Sequence, residues 1–337
     1  MLTLPISFPS HHHPRSRAHL PVPPTFVLST YLHLRRIMKY SVAASALAVF
    51  SLANIVSALP AKRGVSDPQV LNFALTLEHL EAKFYQEGIS KFSQADFVAA
   101  HYGEWVRGRF EQIAAHEQTH VDFLTTALTA AGAKPVEACE YNFGVTDVKS
   151  FVDLSAILEA VGATAYTGAA QFIENKDYLT VAASILTVEG RHEAWVNSAV
   201  RESSAWDTAF QTALTPNQVY SLAVPFIKSC PSSNAASLFA LTAYPGLTIA
   251  DAHPGKTATL TFPAQPAGSK LFAAFISGVS APMFVPVTDD NKVAVPDTLR
   301  GFVFCVLTND GSKADDSTTV AGPAILNFAF DARGELV

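Results

Sequence analysis

The sequence predicts a mainly α protein in which a four-helix bundle is followed by an antiparallel β-sandwich. Apolar residues recur at helical spacing from about residue 67 to residue 227, which predicts several long amphipathic helices. After residue 235 this period stops, and short apolar runs alternate with turns rich in Pro, Gly and Asp, which is typical of antiparallel strands. Two of the helical segments also contain a Glu-x-x-His motif, and this pair of motifs predicts a site inside the bundle.

The first 63 residues are predicted to lie outside the folded protein. Within residues 38–63, a short apolar run is followed by small residues and by Lys62-Arg63, which predicts a signal peptide and a dibasic processing site. Residues 1–37 precede this complete signal, and we interpret them as an upstream extension from a mis-assigned start. The protein is therefore expected to be secreted, in the extracellular space or the cell wall.

The charge of the remaining chain disfavours some partners. Residues 1–63 hold 7 of the 23 Lys and Arg and none of the 29 acids, so the other 274 residues carry 16 − 29 = −13. Nucleic acid and anionic membranes are poor partners for such a chain. No apolar segment near the C-terminus predicts a lipid anchor or a transmembrane span.

Glycines, prolines and N-cap residues divide the helical domain, residues 64–230, into segments. We predict helices over residues 68–87, 96–131 with a break at Gly103, 151–173, and 178–202, and a further helical segment interrupted by Pro216 over 205–227. Ser150 or Asp153 is the predicted N-cap of the third helix and Asp177 that of the fourth. Residues 135–149 have no helical period, which predicts one long connection in the middle of the bundle.

The two Glu-x-x-His motifs are Glu117 with His120 and Glu189 with His192. Residues i and i+3 share one face of a helix, and here that face is otherwise apolar. A buried Glu needs a partner, and a divalent metal ion supplies one when Glu-x-x-His projects into a bundle. One such pair alone is more often a core histidine beside a surface glutamate, but two copies favour the metal site.

The first and third helices offer the remaining carboxylates. Glu78 and Glu159 are each followed seven residues later by a tyrosine, Tyr85 and Tyr166, which lies on the same face two turns further on. Glu81 is a rival to Glu78 for the position on the first helix, and the spacing to the tyrosine favours Glu78.

Residues 67–230, with the segments LNFALTLEHLEAKFY and IAAHEQTHVDFL, resemble the ferritin-like superfamily, in particular a secreted fungal branch of stress-response proteins related to plant desiccation-related proteins. The resemblance implies six metal ligands, which are Glu78, Glu117, His120, Glu159, Glu189 and His192, with Tyr85 and Tyr166 in contact with them. If the general pattern of the superfamily holds, Glu117 and Glu159 bridge the ions, but the bridging roles stay open.

Four carboxylates and two imidazoles suit two divalent iron or manganese ions. The leading hypothesis is a peroxide-consuming oxidoreductase of catalase or peroxidase type, active in oxidative or desiccation stress, with hydrogen peroxide or dioxygen as the oxidant. Peroxide disproportionation needs no external reductase, which suits a secreted protein. The alternative is a non-catalytic metal-binding or structural protein of the stressed cell or its surface.

Three cysteines follow the leader. Cys139 and Cys230 flank the second half of the helical region, and a disulfide between them would pin the long connection to the end of the bundle. Cys305 lies in a strand-like apolar run and is predicted to be a core residue.

The C-terminal domain, residues 235–337, is predicted to contain six to eight strands after a linker at residues 231–234. A module that binds carbohydrate or another partner at the cell wall and a packing domain for the bundle are equally good interpretations.

Overall fold

The computed structural model describes residues 64–266 and 268–337. The predicted leader, residues 1–63, lies outside the described residues, so the signal peptide, the dibasic site and the upstream extension stay predictions. In the described part, helices precede antiparallel sheets, as the fold class predicted. No helix between residues 64 and 337 combines the length and the apolarity needed to cross a membrane.

Four long helices form the bundle. They are α1 (Asp67–Lys91), α3 (Val106–Ala130), α4 (Val148–Ala169) and α5 (Lys176–Trp195), and a short helix α2 (Gln94–Ala99) precedes α3. The break predicted at Gly103 is confirmed, because it lies between α2 and α3. Helix α1 packs against α3 and α4 packs against α5, so each pair contributes one Glu-x-x-His motif.

Local hydrogen bonds set where the helices begin. Ser66 and Gln69 form a capping box at the start of α1, which satisfies otherwise unpaired amides. The predicted N-caps of the third and fourth helices were wrong. Asp147 caps α4 by accepting a hydrogen bond from the Ser150 amide at 2.7 Å, and the Asn175 side chain accepts from the amides of Asp177 and Tyr178 to cap α5. In both cases the N-cap is an Asp or Asn side chain that lies upstream of the predicted cap residue.

The region after α5 also differs from the prediction. The fourth helix was expected to reach residue 202, but α5 ends at Trp195 and continues as one π-helical turn, Val196–Val200. Residues 205–214 are irregular rather than helical, and α6 covers only Pro216–Ala223. The irregular segment is held by the sheet domain, because the Phe302 amide donates to Asp207 at 2.7 Å and the Gly278 amide donates to Thr212 at 2.8 Å.

The long connection between α3 and α4 is fixed to the end of the helical region. Its strand β1 (Glu140–Tyr141) pairs with β2 (Ile227–Ser229), and the predicted disulfide between Cys139 and Cys230 is present beside this pair. In the segment predicted as a linker, Asn234 is buried and its side-chain amide donates to the Glu137 carbonyl at 2.7 Å.

Seven strands follow in the described part of the C-terminal region, within the predicted range. They are β3 (Thr248–Ala250), β4 (Thr257–Thr261), β5 (Phe272–Ile276), β6 (Met283–Pro286), β7 (Lys292–Ala294), β8 (Gly301–Thr308) and β9 (Thr319–Phe328). They form a three-stranded antiparallel sheet of order β3-β4-β7 and a four-stranded one of order β6-β5-β8-β9.

The central strand β8 connects the two cores of the molecule. Side chains alternate across a strand: Phe302, Phe304 and Val306 pack into the core of the helical bundle, whereas Val303, Cys305 and Leu307 pack toward the three-stranded sheet. All eight residues of β8 are buried, which explains its continuous apolar sequence. Cys305 is the core residue that was predicted. The contact with the bundle supports a packing role for the sheet domain.

Candidate metal centre

Helix geometry brings the six predicted ligands into one buried cluster inside the bundle. Glu78 comes from α1, Glu117 and His120 from α3, Glu159 from α4, and Glu189 and His192 from α5. The four carboxylates are at most 1% exposed. Their ligand atoms form two groups, Glu78–Glu117–His120–Glu189 and Glu117–Glu159–Glu189–His192, and within each group these atoms all lie within 4.8 Å of one another.

Glu117 connects the two halves of the cluster. Its Oε2 lies 3.1 Å from Nδ1 of His120, and its Oε1 lies 3.1 Å from Nδ1 of His192. Glu117 and Glu189 belong to both groups, whereas Glu159 belongs only to the second. Glu117 and Glu189 are therefore the carboxylates shared by the two groups, whereas the general pattern of the superfamily suggested Glu117 and Glu159, and the bridging roles stay open.

The two tyrosines each reach across the bundle to a carboxylate of the other half. The Tyr85 hydroxyl donates to Oε1 of Glu159, and the Tyr166 hydroxyl donates to Oε1 of Glu78. The second oxygen of each carboxylate is thereby left for the cluster: Oε2 of Glu78 lies 3.2 Å from His120 Nδ1, and Oε2 of Glu159 lies 3.3 Å from His192 Nδ1. In each half of the bundle, a tyrosine thus donates a hydrogen bond to a carboxylate of the other half.

Several atoms of the cluster have the surroundings of metal ligands. Buried polar atoms are almost always hydrogen-bonded, yet five buried atoms here have no hydrogen-bond partner: Glu117 Oε1, Glu159 Oε2, both carboxylate oxygens of Glu189, and His192 Nδ1. Some of them lie just over 3 Å apart without the alignment of a hydrogen bond. Atoms that point at a common ion between them have this arrangement, so the residues fit a pair of bound cations.

Two further residues contribute to the site. His116 lies one residue before Glu117, and its Nδ1 is 3.0 Å from Nε2 of His192, so it holds the ring nitrogen that faces away from the carboxylates. His116 was not among the site residues predicted from the sequence. Two acids near the histidines in sequence do not take this role: Asp122 accepts a hydrogen bond from Gln118, and Glu193 lines a different cavity.

Glu81, the alternative to Glu78 on α1, is also buried, but it belongs to neither of the two groups of ligand atoms. A methyl group added at Gly162 would lie 2.8 Å from Glu81 Oε1 and 2.9 Å from Glu189 Oε2. The absence of a side chain at Gly162 therefore makes room for both carboxylates. Glu81 and Gly162 also line an otherwise apolar cavity of about 200 Å³, which brings this cavity next to the cluster.

The protein environment strongly shifts the protonation of the cluster. Burial alone would raise the pKa of Glu117, but its contacts with His120 and His192 lower it to about 2. Burial would lower the pKa of His120, but the contacts with Glu117 and Glu78 raise it to about 10. The pKa of His192 is likewise raised to about 10, chiefly by Glu159 and Glu117 against the effect of burial. Burial raises the pKa of Glu78 to about 7.

We therefore expect metal binding to release protons. His120 and His192 hold a proton at pH 7 because their pKa values lie near 10, and a cation must displace these protons to reach the two nitrogens. Loading at pH 7 should release about two protons or more, and the affinity should fall as the pH is lowered, about tenfold per pH unit for each proton released. Titration calorimetry in two buffers of different ionisation enthalpy measures this number. Binding heats that are equal in the two buffers would contradict the assignment.

Part of this chain is similar to known proteins. Residues 66–202 match the family model of the ferritin-like domain. Protein rds1 of Schizosaccharomyces pombe is 25% identical over 213 residues, which are 63% of this chain and 51% of that protein. The chain thus spans about half the length of this curated relative. A conserved hypothetical protein of Mycobacterium tuberculosis, known from its crystal structure, is similar over 42% of this chain and 92% of its own, with 21% identity and a TM-score of 0.34. The helical part of this chain, residues 66–202, is a ferritin-like domain, in agreement with the resemblance seen in the sequence.

Proposed function

We propose that this protein binds two divalent manganese or iron ions in the bundle and consumes hydrogen peroxide there. The observation that carries the proposal is the position of Glu117, which presents one carboxylate oxygen to each of the two imidazoles. A carboxylate placed in this way suits two neighbouring ions better than one. The four carboxylates balance the charge of two divalent cations, and this set of oxygen and nitrogen ligands favours manganese or iron over a thiolate-seeking metal.

Metal ions held there would supply the redox chemistry by which two molecules of hydrogen peroxide become two of water and one of dioxygen. The chain itself orients the ligands and limits access to them. Tyr85 and Tyr166 each hold one oxygen of a carboxylate, so that its other oxygen faces the cluster. The cavity beside Glu81 and Gly162, at about 200 Å³, is large enough for a molecule as small as peroxide.

Secretion belongs to the same proposal. The predicted signal peptide directs the chain out of the cell, and the Cys139–Cys230 disulfide suits an oxidising compartment. In disproportionation one peroxide molecule is oxidised and the next reduced, so the reaction needs no electron donor of the kind found inside cells. A role in oxidative or desiccation stress follows from such a reaction in such a place.

A peroxide assay on metal-loaded protein tests the proposal. Protein reconstituted with manganese, and separately with iron, should release one dioxygen for every two peroxide molecules consumed, at a rate well above that of the same metal free in buffer. The Glu117→Ala/Glu189→Ala variant should fall to the rate of the free metal, whereas a Glu111→Ala variant, changed on the exposed side of the same helix, should keep full activity. Tightly bound metal without peroxide turnover would instead support the non-catalytic metal-binding alternative.

A further inference from the structure

A second cavity lies beside α5 and is lined by Gly190, Glu193 and Ala194 of that helix. It has a volume of about 280 Å³, is open to solvent, and lies between α5 and the irregular segment that follows the π-helical turn. The residues that matter here are Glu193 from α5 and Trp206, Asp207 and Phe210 from that segment. The Asp207 segment was expected to be helical, so the sequence alone does not place these side chains together.

Glu193 is a buried acid without a hydrogen-bonding partner. It is 5% exposed, and it lines the cavity although it is adjacent in sequence to the ligand His192. Its carboxylate makes no hydrogen bond or ion pair with any residue in the described ranges 64–266 and 268–337. Only a small part of Glu193 reaches solvent, and removing a carboxylate from water is costly, so a cation in the cavity would stabilise its charged form.

Asp207 is held in place as the second acid of the cavity. The Phe302 amide donates to its Oδ1 at 2.7 Å. A side chain at Gly301 would come within 2.2 Å of the same oxygen, and Gly301 has a φ of +65°, a conformation that favours glycine. The missing side chain at Gly301 therefore gives this carboxylate the space it occupies against the sheet domain. Among the residues that the structure describes, no Lys, Arg or His side chain lines the cavity to balance the two acids.

Two exposed aromatic rings border the same cavity. Trp206 is 70% exposed and Phe210 is 56% exposed, although large aromatic side chains are usually covered. The face of an aromatic ring attracts a cation through its quadrupole. A divalent metal ion is a poorer match than an organic cation, because calcium takes six to eight oxygen ligands and would use neither ring.

We propose that this cavity binds a small organic ammonium ion, such as a protonated aliphatic diamine. The positive groups would pair with Glu193 and Asp207 and lie against the ring faces of Trp206 and Phe210. The proposal is independent of peroxide chemistry, because it uses none of the six residues of the metal cluster.

Titration calorimetry with 1,4-diaminobutane, at physiological ionic strength and on metal-loaded protein, tests this site. We expect saturable binding of one diamine per chain, at least tenfold weaker in a Glu193→Gln/Asp207→Asn variant and unchanged in Glu111→Gln. Each of the two changes keeps the shape of the side chain, and the carboxamide introduced by Asp207→Asn still offers an oxygen to the Phe302 amide. A Trp206→Ala variant should weaken binding about two- to fivefold, as expected for an exposed cation–π contact.

The outcomes that would overturn the proposal are distinct from a failure of the metal site. Absence of saturable diamine binding, or binding unaffected by the double substitution, would refute it. So would displacement of the diamine by an equal concentration of calcium or manganese, because that would identify an inorganic cation site. Measuring the metal content and the circular dichroism of each variant shows that the bundle and the metal cluster remain intact.

Discussion

Replacing Glu117 and Glu189 together by alanine should remove both of the metal ions proposed for the cluster. These two carboxylates are common to both ligand groups, and no other residue is. Their loss leaves each group with only two of its four side chains. Metal content measured by mass spectrometry on purified protein should fall from about two ions per chain to nearly none, given the two ligand groups.

Substitution of either histidine alone should remove only one of the two proposed ions. His120 belongs only to the group with Glu78, and His192 belongs only to the group with Glu159. The His120→Ala variant and the His192→Ala variant should therefore each retain about one ion per chain, given one intact group. Two ions in the parent protein, one in each histidine variant and none in the double glutamate variant would be specific to a paired site with shared carboxylates. A single ion at full loading, or loss of both ions from either histidine variant, would contradict it.

The control for these measurements is Glu111→Ala. Glu111 is on the same helix as Glu117, but its side chain is 50% exposed and pairs with Arg107. Its removal should leave the metal content unchanged, because an exposed ion pair contributes little. Far-UV circular dichroism should be the same for all variants, so that a loss of ions can be assigned to lost ligands and not to unfolding.

The sequence predicted the bundle and its inward carboxylates because both depend on local spacing. Glu-x-x-His places two side chains on one helix face regardless of the rest of the fold, and the structure brings Glu117, His120, Glu189 and His192 together. Residues three apart share that face, so Glu81 was a rival to Glu78, and only the seven-residue spacing to Tyr85 favoured Glu78. Their difference arises from α4, where Tyr166 donates to Glu78 and Gly162 leaves space beside Glu81.

Other features depend on contacts between distant segments. The irregular segment around Asp207 has a composition compatible with a helix. Hydrogen bonds from the Phe302 and Gly278 amides, 95 and 66 residues away from their partners in sequence, hold it in another conformation. The packing of β8 on the bundle likewise joins two regions that the sequence pattern divides at residue 235. Helix ends were mispredicted because several polar residues near each end could serve as the cap, and tertiary contacts help to choose among them.

Removing the disulfide should cause a large loss of stability in the part of the chain that carries the metal ligands. Cys139 and Cys230 are separated by 91 residues, and the loop between them contains α4, α5 and α6. A link across so long a loop reduces the conformational freedom of the unfolded chain, and removal of a native disulfide typically costs about 2–5 kcal/mol. The β1–β2 pairing beside it would then have to close this loop alone, and two such short strands contribute little.

Urea unfolding of a Cys139→Ala/Cys230→Ala variant measures this cost. Both proteins should be unfolded in the presence of a chelator, because a metal ion bound only to the folded state adds its own stabilisation. Reduction of the parent protein should give nearly the same loss as the double substitution, since Cys305 is present in both and lies buried in β8. A loss below about 1 kcal/mol, small against the usual cost of removing a native disulfide, would mean that packing of β8 on the bundle already restrains the loop. The sheet domain, and not the disulfide, would then be what holds α4 and α5 in place for the two ions.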